Sequence, residues 1–407
     1  MDFIPFEWPA EWTDPAALDL LQGTPVNCLL LEDRSKLAAL AERGEKQGLK
    51  IFTRNSPPAG VHIIKGVWPG IRMSREQNTA SSGPTGAPWV DSNGWALQLA
   101  RVQAPGKSLW VTAEPAKDQI VRPDTHVLAV ADAASHGGAW AVYLAGDLRK
   151  GVAARDSKAL DVWKRMLDAI RFFEQRKEWA AYEPHGILGV VSDFSGGNEF
   201  MSTEILNLTA RQNQPYQILL KSKLTDASLK GLEAVIYPDD EPPSEQLRKR
   251  LLAFAEAGGL LIVSPKWGDV TGEPAGGDPH PRFKVVKHGK GRIALATEFD
   301  DPFVVSCDAR IVMSHRHDLV RFWNAGSIVA YYTLAPGGKR AVVHMINYAA
   351  RPGRDLISCR IAGPWRSARF WALEKAGPVA VETVRERNAL EVHLPAIPVY
   401  GAVDLVA

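Results

Sequence analysis

From residue 3 to residue 297, short apolar runs alternate with stretches of helical periodicity; beyond residue 298 only short apolar runs follow. This change of pattern constrains the fold more than any other feature of the chain. Alternating strands and helices build a parallel sheet with helices outside it. Evenly spaced strands separated by turns build stacked antiparallel sheets. At roughly 100–200 residues per domain, 407 residues leave room for both and for two to four domains.

In residues 1–183 the expected strands are Phe3–Phe6, Val26–Leu31, Leu49–Thr53, Val61–Lys65, Ser108–Thr112 and Ala139–Leu144. Residues 33–48 read as an amphipathic helix with Asp33 as N-cap. Ser92–Val102, Thr125–Ala134 and Asp156–Ala180 carry the other helical patterns. In residues 184–297 the strands Ile187–Val191, Tyr216–Leu220, Ala234–Tyr237 and Leu260–Val263 alternate with helices at Glu204–Arg211 and Ser244–Ala257, a doubly wound α/β pattern. A hairpin over 282–296 turns at His288-Gly289-Lys290-Gly291. Residues 298–407 read as an all-β sandwich whose last strand is Tyr400–Val406.

The middle segment carries Gly189-Val190-Val191-Ser192-Asp193, then Ala234-Val235-Ile236-Tyr237-Pro238, then Ala257-Gly258-Gly259-Leu260-Leu261-Ile262-Val263-Ser264. This succession of strand, Pro, acidic loop, helix, Ala-Gly-Gly and strand resembles the trimerisation domain of family 42 β-galactosidases and their relatives. In that family a (β/α) barrel comes first, a glutamine-amidotransferase-like α/β domain second and a small β-sandwich last. The resemblance implies a multidomain α/β fold with a TIM-type barrel over 1–183, an amidotransferase-like domain over 184–297 and an antiparallel β-sandwich over 298–407. An eight-stranded barrel takes about 250 residues, so the barrel is expected to be reduced or degenerate. The implied activity is hydrolysis of a glycosidic bond in an oligosaccharide or glycoside. Homo-oligomer contacts through the middle domain are implied too. Residues 184–297 contain no Cys, which excludes glutamine hydrolysis by the usual nucleophile.

Glycosidases place two carboxyl groups across the scissile bond, and a barrel offers them at the C-terminal ends of its strands. Glu114 meets that condition, because Leu109–Ala113 runs into Glu114-Pro115. Glu32 follows Val26–Leu31 directly. Asp91 lies in a Gly- and Pro-rich stretch, Ser82–Trp95, between Trp89 and Trp95. Glu114 is thus one candidate carboxylate, and Asp91 or Glu32 the other. A competing reading makes Asp91 or Ser92 the cap of the helix beginning near Asn93. Trp rings stack on sugar faces. Nine of the 13 Trp fall in the first 180 residues; Trp68, Trp89, Trp95 and Trp110 are candidate platforms, with Lys65 and Asn93 binding hydroxyls. Trp163 and Trp179 lie on the long helix and belong to packing. Asp132 reads as a helix-face residue.

Lys+Arg 48 against Asp+Glu 46 gives a net charge of +2, with no basic stripe for nucleic acid. No run of about 18 apolar residues exists, so no membrane span is expected. Met1–Trp12 has no basic n-region or apolar h-region, so the chain as it stands reads as cytoplasmic, and as periplasmic or secreted if a leader precedes it. Cys28, Cys307 and Cys359 have no metal-type spacing, and His315 and His317 lack a third ligand at a defining distance. No cofactor or metal is expected. A non-catalytic carbohydrate-binding or scaffold protein, derived from a decayed glycosidase, is the rival expectation.

Overall fold

The computed structural model describes residues 3–74, 79–80, 89–116, 119–276, 280–351, 353 and 356–407. Of the stretch singled out above, residues 82–88 lie outside them.

The first part contains strands β1 (Pro5–Glu7), β2 (Cys28–Leu31), β3 (Lys50–Thr53) and β4 (Val61–Lys65), and the two-residue strands β5 (Gly70–Ile71), β6 (Met73–Ser74), β7 (Thr79–Ala80) and β8 (Val90–Asp91). β9 (Ser108–Thr112) and β10 (Ala139–Trp140) complete it. Its helices are α1 (Ala38–Lys46), α2 (Gly94–Gln103), α3 (Pro123–Ser135), α4 (Gly146–Ala153) and α5 (Ser157–Glu174). β1-β2-β3 and β10-β9-β4 form two parallel sheets. Backbone hydrogen bonds of Glu7 and Pro5 to Val142 join them, giving the order β3-β2-β1-β10-β9-β4.

Side chains alternate across these strands, as the pleat requires. One face, with Phe6, Leu29, Leu31, Leu109, Val111, Trp140 and Val142, packs under the helices. The opposite face supplies a separate inner core: Cys28, Leu30, Val61, Trp110, Ala139 and Ala141, with Phe3, Phe52 and Ile63. Residues from all six strand segments thus fill one interior, whose centre is an edge-to-face triad of Phe3, Phe52 and Trp110. α5 is capped by Asp156, which accepts from Ala159 N at 2.9 Å, and its apolar face packs on α3 and α4.

Asp33 does not cap α1. Its carboxylate accepts from Ser35 N at 2.9 Å and Ser35 Oγ at 2.7 Å, and the helix starts behind Leu37. A local Asx turn outcompetes the helix end for that acceptor.

The middle part holds β12 (Leu188–Ser192), α6 (Glu199–Arg211), β13 (Tyr216–Leu220), β14 (Ala234–Tyr237), α7 (Glu245–Glu256), β15 (Leu260–Val263), β16 (Phe283–His288), β17 (Gly291–Ala296) and α8 (Pro302–Met313). The sheet order is β13-β12-β14-β15-β17-β16, parallel except for the β16–β17 hairpin. β11 (Glu183–Pro184), just before it, pairs with a strand of the last part. The sequence reading has no helix at α8, expecting only β structure after 298. Asp301 caps α8 from Phe303 N at 2.8 Å, Pro302 takes its first turn, and Val305, Ala309, Val312 and Met313 join the core of the middle sheet.

The last part is two antiparallel sheets. β19 (Ile328–Leu334), β20 (Arg340–Asn347), β22 (Ser367–Ala372) and β25 (Tyr400–Val406) join β11 in the order β11-β19-β20-β25-β22. β18 (Val320–Trp323), β21 (Ile357–Ala362), β23 (Glu382–Arg385) and β24 (Ala389–Leu394) form β18-β21-β24-β23. Both sheets contribute to one core. The outer face of the five-stranded sheet (Val342, Ile346, Tyr348, Tyr400) packs into the core of the first part.

Candidate active site

The C-terminal ends of β1, β2, β3, β9 and β10 converge on one hollow. Along β1, Phe3 and Phe6 take opposite faces, so Glu7 falls on the inner face with Phe3. By the same count Glu32 follows Leu30, Arg54 follows Phe52, and Tyr143 follows Ala141. Glu7, Glu32, Arg54, Glu114 and Tyr143 all line a cavity of about 150 Å³, together with Trp8 and Arg149. The aromatic triad lies one pleat beneath this set.

Arg54 organises the charges. One of its guanidinium nitrogens donates to Glu7 Oε1 and also to Glu114 Oε1, the latter at 2.9 Å. Two acceptors within hydrogen-bond reach of one nitrogen lie no more than about 6 Å apart. Glu7 is 6% exposed, whereas the Glu114 side chain is 61% exposed. Glu7 Oε2 is buried with no hydrogen-bond partner among the described residues. Burial pushes the Glu7 carboxyl above its ordinary value, and the Arg54 hydrogen bond and charge offset this only in part. One protected acid and one exposed carboxylate therefore face a common space.

The structure brings Glu114 and Glu32 together but leaves the other sequence candidates elsewhere. Asp91 is buried in the β5–β8 ribbon, where Arg72 Nη2 and Nε reach it at 2.6 and 2.9 Å and Trp89 Nε1 at 3.1 Å. It does not line the cavity. Asn93 is 1% exposed; its amide holds Val67 N, Val67 O and Asp132 Oδ2, so it is a loop clamp and not a hydroxyl binder. Gly66 permits this clamp, since a Cβ there would collide with Asn93 Oδ1. Trp68 and Trp110 are 2% and 1% exposed. Trp68 packs edge-on to His126, Trp140 and Tyr143, and Trp110 is the inner core; neither has a free face for a sugar. Trp89 and Trp95 are half-buried; Arg211 lies over the Trp89 ring at 5.1 Å, and Trp95 packs on the middle core. Lys65 is exposed at the end of β4. Asp132 sits fully buried in α3, accepting from Tyr348 Oη at 2.6 Å.

Glu7, Arg54 and Tyr143 are missing from the sequence reading. Glu7 carries the signal that identified Glu114 and Glu32, a Glu directly after an expected strand, here Phe3–Phe6, and the rule was not applied to it. Arg54 and Tyr143 carry no signal in a search for carboxylates.

A second polar cluster lies at the C-terminal edge of the middle sheet, by β12 and β14. Carboxylate oxygens of Asp193, Asp239 and Glu241 all lie within 4.8 Å of one another, the kind of set that holds a metal ion. Lys221 Nζ fills that centre at 3.0, 2.7 and 2.7 Å. Its ammonium is held well above its ordinary range by these hydrogen bonds, against the opposing pull of desolvation.

No helix among the described residues is long and apolar enough to cross a membrane. No protein-family model matches the chain, and no curated protein matches its sequence. Solved structures match its fold. α-L-Fucosidase isoenzyme 2 from Paenibacillus thiaminolyticus aligns at TM-score 0.54 and 11% identity over 96% of this chain and 79% of that one. A β-galactosidase from Bacillus circulans sp. alkalophilus aligns at 0.52 and 11% over 77% of this chain and 58% of that one. A GH42 β-galactosidase from G. stearothermophilus aligns at 0.51 and 11% over 92% and 67%. At such identities the likeness speaks for fold alone. The chain has a glycoside hydrolase-like fold.

Proposed function

We propose that the chain is a retaining glycoside hydrolase whose reacting carboxyl groups are Glu7 and Glu114. The observation that carries this is the bridging of both carboxylates by one Arg54 nitrogen at the C-terminal ends of parallel strands. Retention needs roughly 5–5.5 Å between carboxyl groups and inversion roughly 6.5–9.5 Å. A spacing held under about 6 Å favours retention.

Glu7, protected and raised, is the acid. It gives its proton to the glycosidic oxygen as the bond from C1 to that oxygen breaks. The Glu114 carboxylate attacks C1 and forms a glycosyl ester. Water then attacks C1, passing its proton to the Glu7 carboxylate, and the ester bond breaks to free Glu114. Glu32 and Tyr143 offer an acceptor and a hydroxyl to the sugar. We take residues 1–183 as a reduced six-stranded (β/α) barrel, 184–297 as an amidotransferase-like domain without its nucleophile and 298–407 as a β-sandwich, with oligomer contacts through the middle domain.

A panel of 4-nitrophenyl glycosides, β-galactoside, α-fucoside and α-rhamnoside included, tests the proposal. Glu7→Gln and Glu114→Gln are each expected to lower kcat by about 10³-fold or more. Azide should restore turnover in Glu114→Ala as a glycosyl azide. Hydrolysis unchanged in either Gln variant removes that residue from the mechanism.

A further inference from the structure

A second hollow adjoins the carboxylate cavity across a single ion pair. Its volume is about 250 Å³, and Trp12, Ala17, Leu20, Val152 and Leu160 wall it. Trp12, Ala17, Leu20 and Leu160 are only partly buried against the main core, so the fold leaves their apolar surface facing one space. The two hollows share Glu11. On α4, Arg149 faces the first, while Val152 and Ala153, three and four positions on and so on the same helix face, line the second. Glu11 and Arg149 pair at 3.1 Å on the border, 56% and 31% exposed, and an exposed pair of this kind parts at little cost.

Two indoles form the wall between the hollows. Trp8 lines the first hollow, donates its Nε1 to Trp12 O at 2.9 Å and meets the Trp12 ring edge-on at 5.5 Å. Glu7 ends the strand that runs directly into this wall. A general acid belongs on the leaving-group side of the scissile bond. We propose that the second hollow is the leaving-group subsite of this site, taking an aglycone that presents a flat apolar ring. The inference rests on the glycosidase reading above. At 250 Å³ the hollow falls below the roughly 300 Å³ at which pockets for drug-sized ligands begin, so it suits one ring. Partly exposed Trp12 supplies the ring face, and Glu11 and Arg149 reach polar substituents from the rim.

Two measurements test this. The first compares kcat/KM for the 4-nitrophenyl glycoside, the methyl glycoside and a disaccharide of the same sugar. Trp12→Ala, and Ala153→Trp from an exposed helix position, should each lower the ratio of 4-nitrophenyl to methyl about tenfold. A parallel fall in the ratio for the disaccharide assigns the hollow to sugar rings as well as aryl groups. An unchanged ratio in both variants overturns the subsite and leaves the glycosidase reading standing. The second measurement titrates 4-fluorophenol by ¹⁹F NMR and needs no turnover. Saturable binding to the wild type, lost in both variants, supports the hollow as a ring site; if no glycoside is hydrolysed as well, the leaving-group role falls with the glycosidase reading and only the ring site stands. No binding to the wild type overturns the subsite.

Discussion

Arg54 touches both carboxylates, so replacing it should move the pH dependence of the reaction in a direction fixed by the structure. The Glu7 carboxyl is raised by burial and lowered by the hydrogen bond and charge of Arg54. Arg54→Met removes the lowering interaction and keeps the packing of the stem. A hydrogen bond to a charged group contributes about 1.5–3 kcal/mol. Arg54 is 39% exposed, and solvent screening reduces that to about 1 kcal/mol. At 1.36 kcal/mol per pH unit, Glu7 then holds its proton to a pH higher by about 0.7 unit. If Glu7 is the acid, the alkaline limb of kcat/KM reports its loss of that proton. The limb should therefore move up by roughly half to one unit in Arg54→Met, and by less in Arg54→Lys, which keeps the charge. The assay is hydrolysis of the best 4-nitrophenyl glycoside, followed with a pH-independent stop. A limb that stays in place or moves down in Arg54→Met refutes the assignment of Glu7 as the acid.

Other perturbations test the remaining parts of the account. Because the folded Glu7 carboxyl lies above its unfolded value, its stabilising contribution is full below the unfolded pKa and is lost as pH rises through the folded one; Glu7→Gln should thus match the wild-type Tm in acid and exceed it once the pH has passed the folded value, and a Tm gap that shrinks with rising pH contradicts this. Lys221→Met strips the cation from Asp193, Asp239 and Glu241 and leaves Asp239 buried and unpaired; a loss of about 3 kcal/mol in urea unfolding is expected, with calcium raising the Tm of the variant and not of the wild type. Tyr348→Phe removes the 2.6 Å donor to buried Asp132 and should cost about 1–3 kcal/mol in the same experiment while leaving kcat/KM at the Glu7 site alone.

What was legible in the sequence follows from which physics is local. Ala234–Tyr237 and Leu260–Val263 emerge at the expected residues, because a buried parallel strand reads as a continuous apolar run whatever surrounds it. The strand-end rule likewise located Glu32 and Glu114. The rest depends on partners distant in sequence. Arg54 acquires its part only when β1 and β9 bring Glu7 and Glu114 to it, across 47 and 60 residues. Trp cannot be sorted by type: the indole that would stack on a sugar is also the largest filler for an interior, and Trp68 and Trp110 went to the interior. α8 escaped because Val304, Val305, Ile311 and Val312 make its sequence dense in β-branched residues. The cap of Asp301 and the facing side of α6 are what make Pro302–Met313 a helix.

The shortness of the first part bears on whether a site of this kind can work at all. An eight-stranded barrel fills its interior with layers of four branched side chains. On the proposed reading of the first part as a six-stranded barrel, three rings (Phe3, Phe52, Trp110) with small partners at Cys28, Ala139 and Ala141 form its inner core. The polar residues stand one pleat higher than this aromatic floor. Glu7 is 6% exposed and the Glu114 side chain 61%, so two chemically identical groups acquire different environments. Such an asymmetry is what the proposed acid–nucleophile chemistry needs. Trp110→Ala tests the link: the void it opens should cost about 3–5 kcal/mol of stability, and water admitted under Glu7 should shift the alkaline limb downward, opposite to the effect of Arg54→Met. A limb unmoved in a folded Trp110→Ala protein would break the connection between the aromatic floor and the acid.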